Sequence, residues 1–138
     1  MTTAIYQTAA TSTGEGRNGR SRSVDGILDV TLATPKELGG EGGGTNPEQL
    51  FAAGYAACFH SALKLVARRM RVPVEDSAVT AEVGLVKQGI GFVLQVAVEV
   101  ELPGVDDAVA KQLVDTAHQV CPYSAAIRGN VDVQVSVA

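Results

Sequence analysis

The chain has 138 residues, the length of one ordinary domain, and we predict a single domain over residues 1–138. Its formal net charge is −4 at pH 7 and its pI is about 5.1, which argues against a nucleic-acid-binding surface, because such a surface needs a basic patch. The hydrophobic fraction is 46% but aromatic residues make up only 4%, so valine, alanine and leucine must supply most of the core.

Nothing in the sequence predicts export or membrane insertion. Residues 1–6 contain neither the basic segment nor the apolar segment of a secretory signal. No apolar run reaches the roughly 18 residues that span a bilayer. We therefore expect a cytoplasmic protein, and in that compartment cysteines are more often catalytic or metal-binding than joined in a structural disulfide.

The N-terminal third predicts short strands separated by turns. Weak alternation and threonine enrichment predict a strand over 3–12, and an Asn-Gly pair in the turn 14–19 is a hairpin signal. Residues 20–23 continue as a polar segment, and 27–32 predict one or two further strands. A glycine-rich loop follows over 36–45.

A long helix follows the glycine-rich loop. Asn46 is a suitable N-cap, Pro47 suits the first helical position, and Glu48 favours the positive end of the helix dipole. The helix is predicted to run to about Met70, because a proline follows shortly after it. Residues 50–59 are apolar nearly all round, which predicts a buried helix and not an amphipathic one.

The C-terminal half predicts a hairpin over 77–88 and 89–102, a helix over 106–120, a helical turn over 124–128 and a strand over 131–137. The order of elements predicts an α+β fold, with antiparallel sheets around a long buried central helix, and not a doubly wound parallel sheet. A helix that is apolar on all sides needs cover from several directions. We therefore expect an intertwined homodimer, which a stable, folded monomer in sedimentation would contradict.

The two cysteines lie far apart, each in an ordered segment. Cys58 ends an apolar helical stretch, and Cys121 opens Cys-Pro-Tyr-Ser directly after another helix. Such a pair can form a redox couple, in which one thiol attacks and the other resolves. Taken alone, a free cysteine on an apolar helix is more often a small buried hydrophobe.

A reactive Cys58 needs a nearby cation, because the thiolate is the nucleophile and apolar surroundings disfavour it. Glu48 lies ten residues away, roughly 15 Å along a straight helix, so it can act only by orienting an arginine that spans the gap. The candidate cations are Arg17, Arg20, Arg22, Arg68, Arg69, Arg71 and Arg128.

Zinc is the alternative chemistry for the cysteines, because each lies near a histidine. His118 and Cys121 share a helical face, but Cys58 and His60 are about 200° apart in projection and cannot bind one metal. Structural zinc sites also place paired ligands on loops. We therefore expect no metal, with both histidines in ordinary surface or core positions.

Four segments of the chain resemble the organic hydroperoxide resistance (Ohr) branch of the OsmC/Ohr family, and the likeness covers essentially the whole sequence. They are Gly16–Arg20, Leu38–Gly40 with the glycines after it, Asn46–Phe59 and His118–Ser124. The resemblance implies that Cys58 is the peroxidatic cysteine and Cys121 the resolving cysteine. It also implies that Arg17 holds the thiolate and the peroxide, and that Glu48 positions Arg17.

The resemblance implies a thiol-dependent peroxidase that reduces alkyl or fatty-acyl hydroperoxides to alcohols through a sulfenic acid and a disulfide. A dihydrolipoyl group on a lipoylated protein would be the external reductant, with no bound cofactor, and the enzyme would be an intertwined homodimer. Apolar residues of the long helix would form the pocket wall and favour organic peroxides: Leu50, Phe51, Tyr55 and Phe59. The alternative is a non-enzymatic thiol sensor or a module that binds an apolar ligand.

The sequence departs from the family pattern at two positions. Asn18 stands where the family more often has aspartate, and Ala125 stands where asparagine usually follows Cys-Pro-Tyr-Ser. Neither change removes a catalytic group. Both change the hydrogen bonds available to the loops that carry Arg17 and Cys121.

Overall fold

The computed structural model describes residues 2–138, which form six strands and three α-helices. These residues divide into two compact units: unit 1 ends at Leu50, and unit 2 is Phe51–Ala138. The combination of two small sheets with helices confirms the predicted α+β class. The assignment of one domain over residues 1–138 stays a prediction.

Unit 1 contains a three-stranded antiparallel sheet in the order β1, β2, β3. The strands are β1 (Ala10–Thr13), β2 (Arg20–Ser23) and β3 (Asp29–Thr31). Thr13 pairs with Arg20, and a 3₁₀ turn at Gly16–Asn18 connects β1 to β2. The predicted turn over 14–19 is therefore confirmed.

The sequence prediction is wrong in extent for β1 and misses β2. The strand expected over 3–12 is only Ala10–Thr13, whereas the strand expected within 27–32 corresponds to β3. β2 reads Arg-Ser-Arg-Ser and has no apolar residue to mark a buried face, so alternation cannot detect it. It is instead held by backbone pairing on both sides, with β1 and with β3.

Helix α1 (Pro47–Met70) begins and ends where the sequence predicts. Asn46 caps it, because its Oδ1 accepts a hydrogen bond from the backbone N–H of Gln49 at 2.9 Å. Arg71, with a left-handed φ of 58°, ends it. By length and composition α1 could cross a membrane, a test that buried core helices also pass.

One face of α1 is buried and the opposite face is exposed, so the prediction of burial on all sides holds for one face only. The buried residues are Tyr55, Phe59, Ala62, Leu63, Val66 and Ala67. The exposed residues include Ala53, Ala57, Ser61, Lys64 and Arg68. Both sets recur every three to four residues, as expected for two faces of one helix. The apolar run over 50–59 is thus divided between core and surface.

The sheet of unit 2 has the order β4, β5, β6. β4 (Ala78–Gln88) and β5 (Gly91–Glu101) form the predicted antiparallel hairpin. β6 (Val133–Val137) pairs with β5 in parallel, so the prediction of antiparallel sheets is wrong for this one pair of strands. The pairing is parallel because a helical crossover connects the two strands and returns the chain to the end of the sheet at which β5 begins. The crossover consists of α2 (Asp107–Val120) and α3 (Pro122–Ile127).

The core of unit 2 lies between the sheet, α1 and α2. Alternate valines of β5, Val96, Val98 and Val100, are buried, as expected for a strand with one face on the core. Leu63 of α1 and Leu113 of α2 are completely buried in the same cluster. Cys121 belongs to this cluster and Cys58 packs against it, so the core fixes the surroundings of both thiols.

Candidate active site

The structure brings the two cysteines together in unit 2. Cys58 lies in the middle of α1, and Cys121 is the N-cap of α3, followed by Pro122 at the first helical position. The thiol of Cys121 donates to the sulfur of Cys58, with 3.7 Å between the two Sγ atoms. Both cysteines are free; Cys121 is completely buried and Cys58 is half-buried. A disulfide bond, at about 2.05 Å, would need only a short approach.

The surroundings of Cys58 within unit 2 oppose its ionisation. Burial raises the pKa of the Cys58 thiol, and the neighbouring Cys121 raises it further. A hydrogen bond from the backbone N–H of Tyr123 lowers the pKa of Cys58, but it does so by less than burial raises it. A reactive thiolate at Cys58 therefore requires a positive charge in addition to these neighbours.

In unit 1, Arg17 and Glu48 form a two-pronged ion pair. The guanidinium of Arg17 donates from Nη1 to Oε1 of Glu48 at 2.7 Å and from Nη2 to Oε2 at 3.1 Å. Arg17 lies in the 3₁₀ turn after β1, and Glu48 lies in the first turn of α1. The hydrogen bonds from Arg17 hold the pKa of Glu48 below its usual range, and Glu48 raises the pKa of Arg17. Both groups are therefore charged at neutral pH.

The structure shows the contacts of Asn18 and Ala125, the two positions noted above as differing from the family pattern. In unit 1, Asn18 Oδ1 accepts a hydrogen bond from the backbone N–H of Thr34 at 2.9 Å, which fixes the turn that carries Arg17. In unit 2, Ala125 is exposed, and its backbone N–H donates to the carbonyl of Cys121 at 3.0 Å. Asparagine thus supplies an acceptor beside Arg17, and the bond from residue 125 to Cys121 uses backbone atoms alone.

Several of the remaining charged and zinc candidates have other partners. Arg20 donates from Nε to Oδ1 of Asp29 at 2.6 Å, and Arg128 donates to the carbonyl of His118 at 2.7 Å. His60 Nε2 lies 2.9 Å from the hydroxyl of Ser77. Over residues 2–138, no group of three or more His, Cys, Asp or Glu side chains has the arrangement of a metal site.

The predicted pocket-wall residues are distributed between the two units. Leu50 belongs to unit 1 and is half-buried, and Phe51 of unit 2 is also half-buried. Tyr55 and Phe59 are completely buried in the core of unit 2. Phe51 and Tyr55 meet edge to face, with ring centroids 6.1 Å apart. Contact of these four side chains with a substrate stays a prediction, as does the joining of Arg17 and Glu48 to the thiols.

The sequence prediction misses two features beside the cysteines. Tyr123 packs against α1 at Gly54, where an added Cβ would lie 3.0 Å from the Tyr123 hydroxyl oxygen. Ser124 is completely buried and lies 2.6 Å from the Tyr55 hydroxyl and 2.8 Å from His118 Nδ1. The available signal was the Cys-Pro-Tyr-Ser sequence, whose last two residues lie in α3, the short helix that Cys121 caps.

The Arg17–Glu48 pair gives a prediction about pH. Because the pKa of Glu48 is lower in the folded protein than in the unfolded chain, the pair stabilises the fold above the usual glutamate pKa. Glu48→Gln is expected to cost about 0.5–1 kcal/mol at pH 7, as for a partly exposed ion pair. The cost should vanish as the pH falls through the lowered pKa of Glu48.

Thermal unfolding of the parent and of Glu48→Gln at neutral and acid pH checks this prediction. Glu37→Gln, an exposed glutamate in the same unit, is the matched charge control. A destabilisation by Glu48→Gln that is the same at every pH would contradict the role of the ion pair.

Comparison with known proteins identifies the family. A family model described as OsmC-like protein matches residues 40–136. An organic hydroperoxide resistance protein of Xanthomonas axonopodis pv. citri (strain 306) is 53% identical over 137 residues, covering 97% of this chain and 95% of that one. The chain belongs to the OsmC/Ohr family.

Solved structures of the OsmC/Ohr family have the same fold. The crystal structure of an organic hydroperoxide resistance protein from Legionella pneumophila aligns with a TM-score of 0.93 at 53% identity, covering 99% of both chains. That of a protein described in the same terms from Vibrio cholerae, with captopril bound in one of its active sites, aligns with a TM-score of 0.91 at 53% identity, covering 98% of this chain and 93% of that one. The predicted OsmC/Ohr-like α+β fold is therefore confirmed.

Proposed function

We propose that this protein is a thiol peroxidase that reduces alkyl or fatty-acyl hydroperoxides to alcohols. The observation that carries the proposal is the approach of two free thiols, 3.7 Å apart, from elements separated by 63 residues. Membership of a family that includes organic hydroperoxide resistance proteins supports the choice of substrate class. The predicted apolar wall of Leu50, Phe51, Tyr55 and Phe59 favours an organic peroxide over hydrogen peroxide.

In the first step the Cys58 thiolate attacks the distal oxygen of the hydroperoxide. A sulfur–oxygen bond forms as the oxygen–oxygen bond breaks, which leaves Cys58 as a sulfenic acid. The departing alkoxide takes up a proton and leaves as the alcohol. Arg17, oriented by Glu48, stabilises both the thiolate and the negative charge that develops on the alkoxide.

In the second step Cys121 attacks the sulfur of oxidised Cys58. The disulfide forms, the sulfur–oxygen bond breaks, and the oxygen leaves as water with the proton of Cys121. A dihydrolipoyl dithiol of a lipoylated protein then reduces the disulfide by exchange and becomes the cyclic disulfide itself. The enzyme needs no bound cofactor for this cycle, and a reducing compartment such as the cytoplasm suits its free thiols.

We also propose that the working form is an intertwined homodimer. The small apolar residues Ala53 and Ala57, in the N-terminal half of the exposed face of α1, support it, because they offer apolar surface for a second copy to cover. Sedimentation of the purified protein tests the assembly. A single monomeric species that retains full activity would contradict it.

Steady-state consumption of tert-butyl hydroperoxide with dihydrolipoamide as reductant tests the function. Continuous turnover is expected with dihydrolipoamide, and hydrogen peroxide at the same concentration should be a poorer substrate. The alternative, a non-enzymatic thiol sensor or ligand-binding module, would show oxidation of Cys58 without turnover. Absence of turnover in the folded, reduced protein would overturn the peroxidase proposal.

Replacing Arg17 tests the source of the positive charge. Arg17→Ala is expected to slow the reaction with peroxide about a hundredfold, the usual effect of removing one group that stabilises developing charge. Its rate should rise toward higher pH, because the Cys58 thiol loses the cation that favours its ionised form. Stopped-flow measurement of peroxide reduction across pH checks both effects.

Arg20→Ala is the matched control, because Arg20 lies three residues away and is bound to Asp29. It should react like the parent. An Arg17→Ala variant with the rate and pH profile of the parent would remove Arg17 from the mechanism.

A further inference from the structure

A buried hydrogen-bonded cluster lies beside the thiols and has no part in the two chemical steps. It consists of Tyr55, Ser124 and His118, hereafter the serine cluster. The hydroxyls of Tyr55 and Ser124 are 2.6 Å apart, and His118 Nδ1 lies 2.8 Å from Ser124 Oγ. Tyr55 and Ser124 are both completely buried. A serine hydroxyl has one donor and two acceptor positions, so it can satisfy both neighbours at once.

The serine cluster joins the same two helices as the pair of sulfurs. Tyr55 precedes Cys58 by three residues on α1, so both side chains lie on one side of that helix. Ser124 follows Cys121 by three residues in the first turn of α3. The Tyr55–Ser124 hydrogen bond therefore runs beside the 3.7 Å contact between the sulfurs and ties the two helices next to it.

Helix α3 depends on such ties for its position. It has only six residues, and a helix of that length is not stable without tertiary contacts. The first turn of α3 is held by the contact between Ser124 and His118 of α2. Arg128, which follows the last residue of α3, donates to the carbonyl of His118 at 2.7 Å. Both ends of α3 are thus attached to the end of α2, and Cys121 lies at the corner between them.

We propose that Ser124, held between Tyr55 and His118, is a positioning residue for disulfide formation. The inference rests on the proposed peroxidase function and concerns only its second step, in which Cys121 must approach the oxidised sulfur of Cys58. Attack on the peroxide precedes any use of Cys121 and does not require the hydrogen bonds of the serine cluster; Tyr55 enters that step only through its ring, as part of the predicted pocket wall. The cluster sets how fast Cys121 captures the sulfenic acid before a second peroxide oxidises it to the sulfinic acid.

Ser124→Ala removes both hydrogen bonds of the serine cluster at once. Disulfide formation is expected to slow about tenfold, as when a bond that orients reacting groups is lost. The rate of the first step should match the parent. The peroxide concentration at which half of Cys58 becomes sulfinic acid should fall by the same factor. Rapid mixing with tert-butyl hydroperoxide, followed by thiol alkylation and mass spectrometry, measures both steps. Thr116→Ala, which removes a hydroxyl bonded within α2, is the matched control.

Two variants at His118 separate positioning from general destabilisation. His118→Asn retains a hydrogen-bonding atom near the position of Nδ1 and should restore most of the disulfide-forming rate, whereas His118→Leu should not. Tyr55→Phe keeps the ring but removes one bond, and it replaces Ser124→Ala as the decisive variant if the latter does not fold. Its disulfide formation should also be slower than that of the parent.

Three results would overturn the inference while leaving the peroxidase proposal intact. One is a disulfide-forming rate in Ser124→Ala, or in Tyr55→Phe where that variant decides, equal to the parent's. Another is a loss in Ser124→Ala that is equal in both steps, and the third is equal behaviour of His118→Asn and His118→Leu. A parent protein that forms no disulfide after peroxide treatment would instead overturn the proposed function.

Discussion

Cys58→Ser is expected to reduce hydroperoxide consumption to the uncatalysed rate, a loss of roughly a thousandfold or more, as for other removed nucleophiles. A serine hydroxyl stays protonated at neutral pH, and its oxygen cannot accept an oxygen atom from the peroxide as sulfur does. Serine is close to cysteine in size and Cys58 is only half-buried, so the variant should fold. Loss of activity would then report the chemistry and not the structure.

The measurement is peroxide consumption with dihydrolipoamide, together with a sulfenic-acid-specific label. The parent should be labelled at Cys58 and the variant at neither cysteine. Cys121 should stay reduced in Cys58→Ser, because it is completely buried and, in the proposed mechanism, reacts only after Cys58 has been oxidised. Full peroxidase activity in Cys58→Ser would show that the nucleophile has been assigned to the wrong residue.

Cys121→Ser is expected to reduce one equivalent of peroxide at the parent's rate and then to consume further peroxide only slowly, as Cys58 is overoxidised. Without a second thiol 3.7 Å away, the sulfenic acid at Cys58 has no intramolecular partner. Further peroxide then converts it to the sulfinic acid, which thiols do not reduce. Steady-state turnover should fall to a small residual rate that depends on direct reduction by the external dithiol.

A burst of one equivalent, followed by mass spectrometry of the Cys58 peptide, checks this expectation. Cys121→Ala is a useful second variant, because a serine hydroxyl at this completely buried position costs about 1–3 kcal/mol if it finds no partner. Both variants should show the same burst. Sustained turnover in both would mean that the disulfide between Cys58 and Cys121 is not on the reaction path.

The strongest local signals in the sequence predict the fold best. Both ends of α1 follow from Asn46, Pro47 and the proline after Met70, because caps and prolines act within a few residues. β2 escapes prediction, since its stability comes from two neighbouring strands and its own side chains are polar. The parallel pairing of β6 with β5 likewise depends on the path of α2 and α3 between the two strands. The hydrophobic periodicity of the sequence does not predict that path.

The sequence likewise predicts some features of the candidate site and not others. The sequence singles out Cys58 and Cys121 as a pair, and helix arithmetic suggests that Glu48 acts through an arginine; only the resemblance selects Arg17. The ion pair between Arg17 and Glu48 and the 3.7 Å between the sulfurs are tertiary facts that the sequence does not contain. Sequence analysis does not single out Ser124, because a lone serine belongs to no recognisable sequence pattern. Only its burial between Tyr55 and His118 in the structure indicates a role.

The parallel pairing of β5 and β6 has a consequence for the newly made chain. Cys121 lies in the crossover between these strands, 63 residues after Cys58, and β6 closes that crossover. At roughly 5–20 residues per second, the ribosome adds Cys58 several seconds before Cys121. During that interval the nascent polypeptide carries Cys58 without the second thiol that the proposed reaction cycle requires.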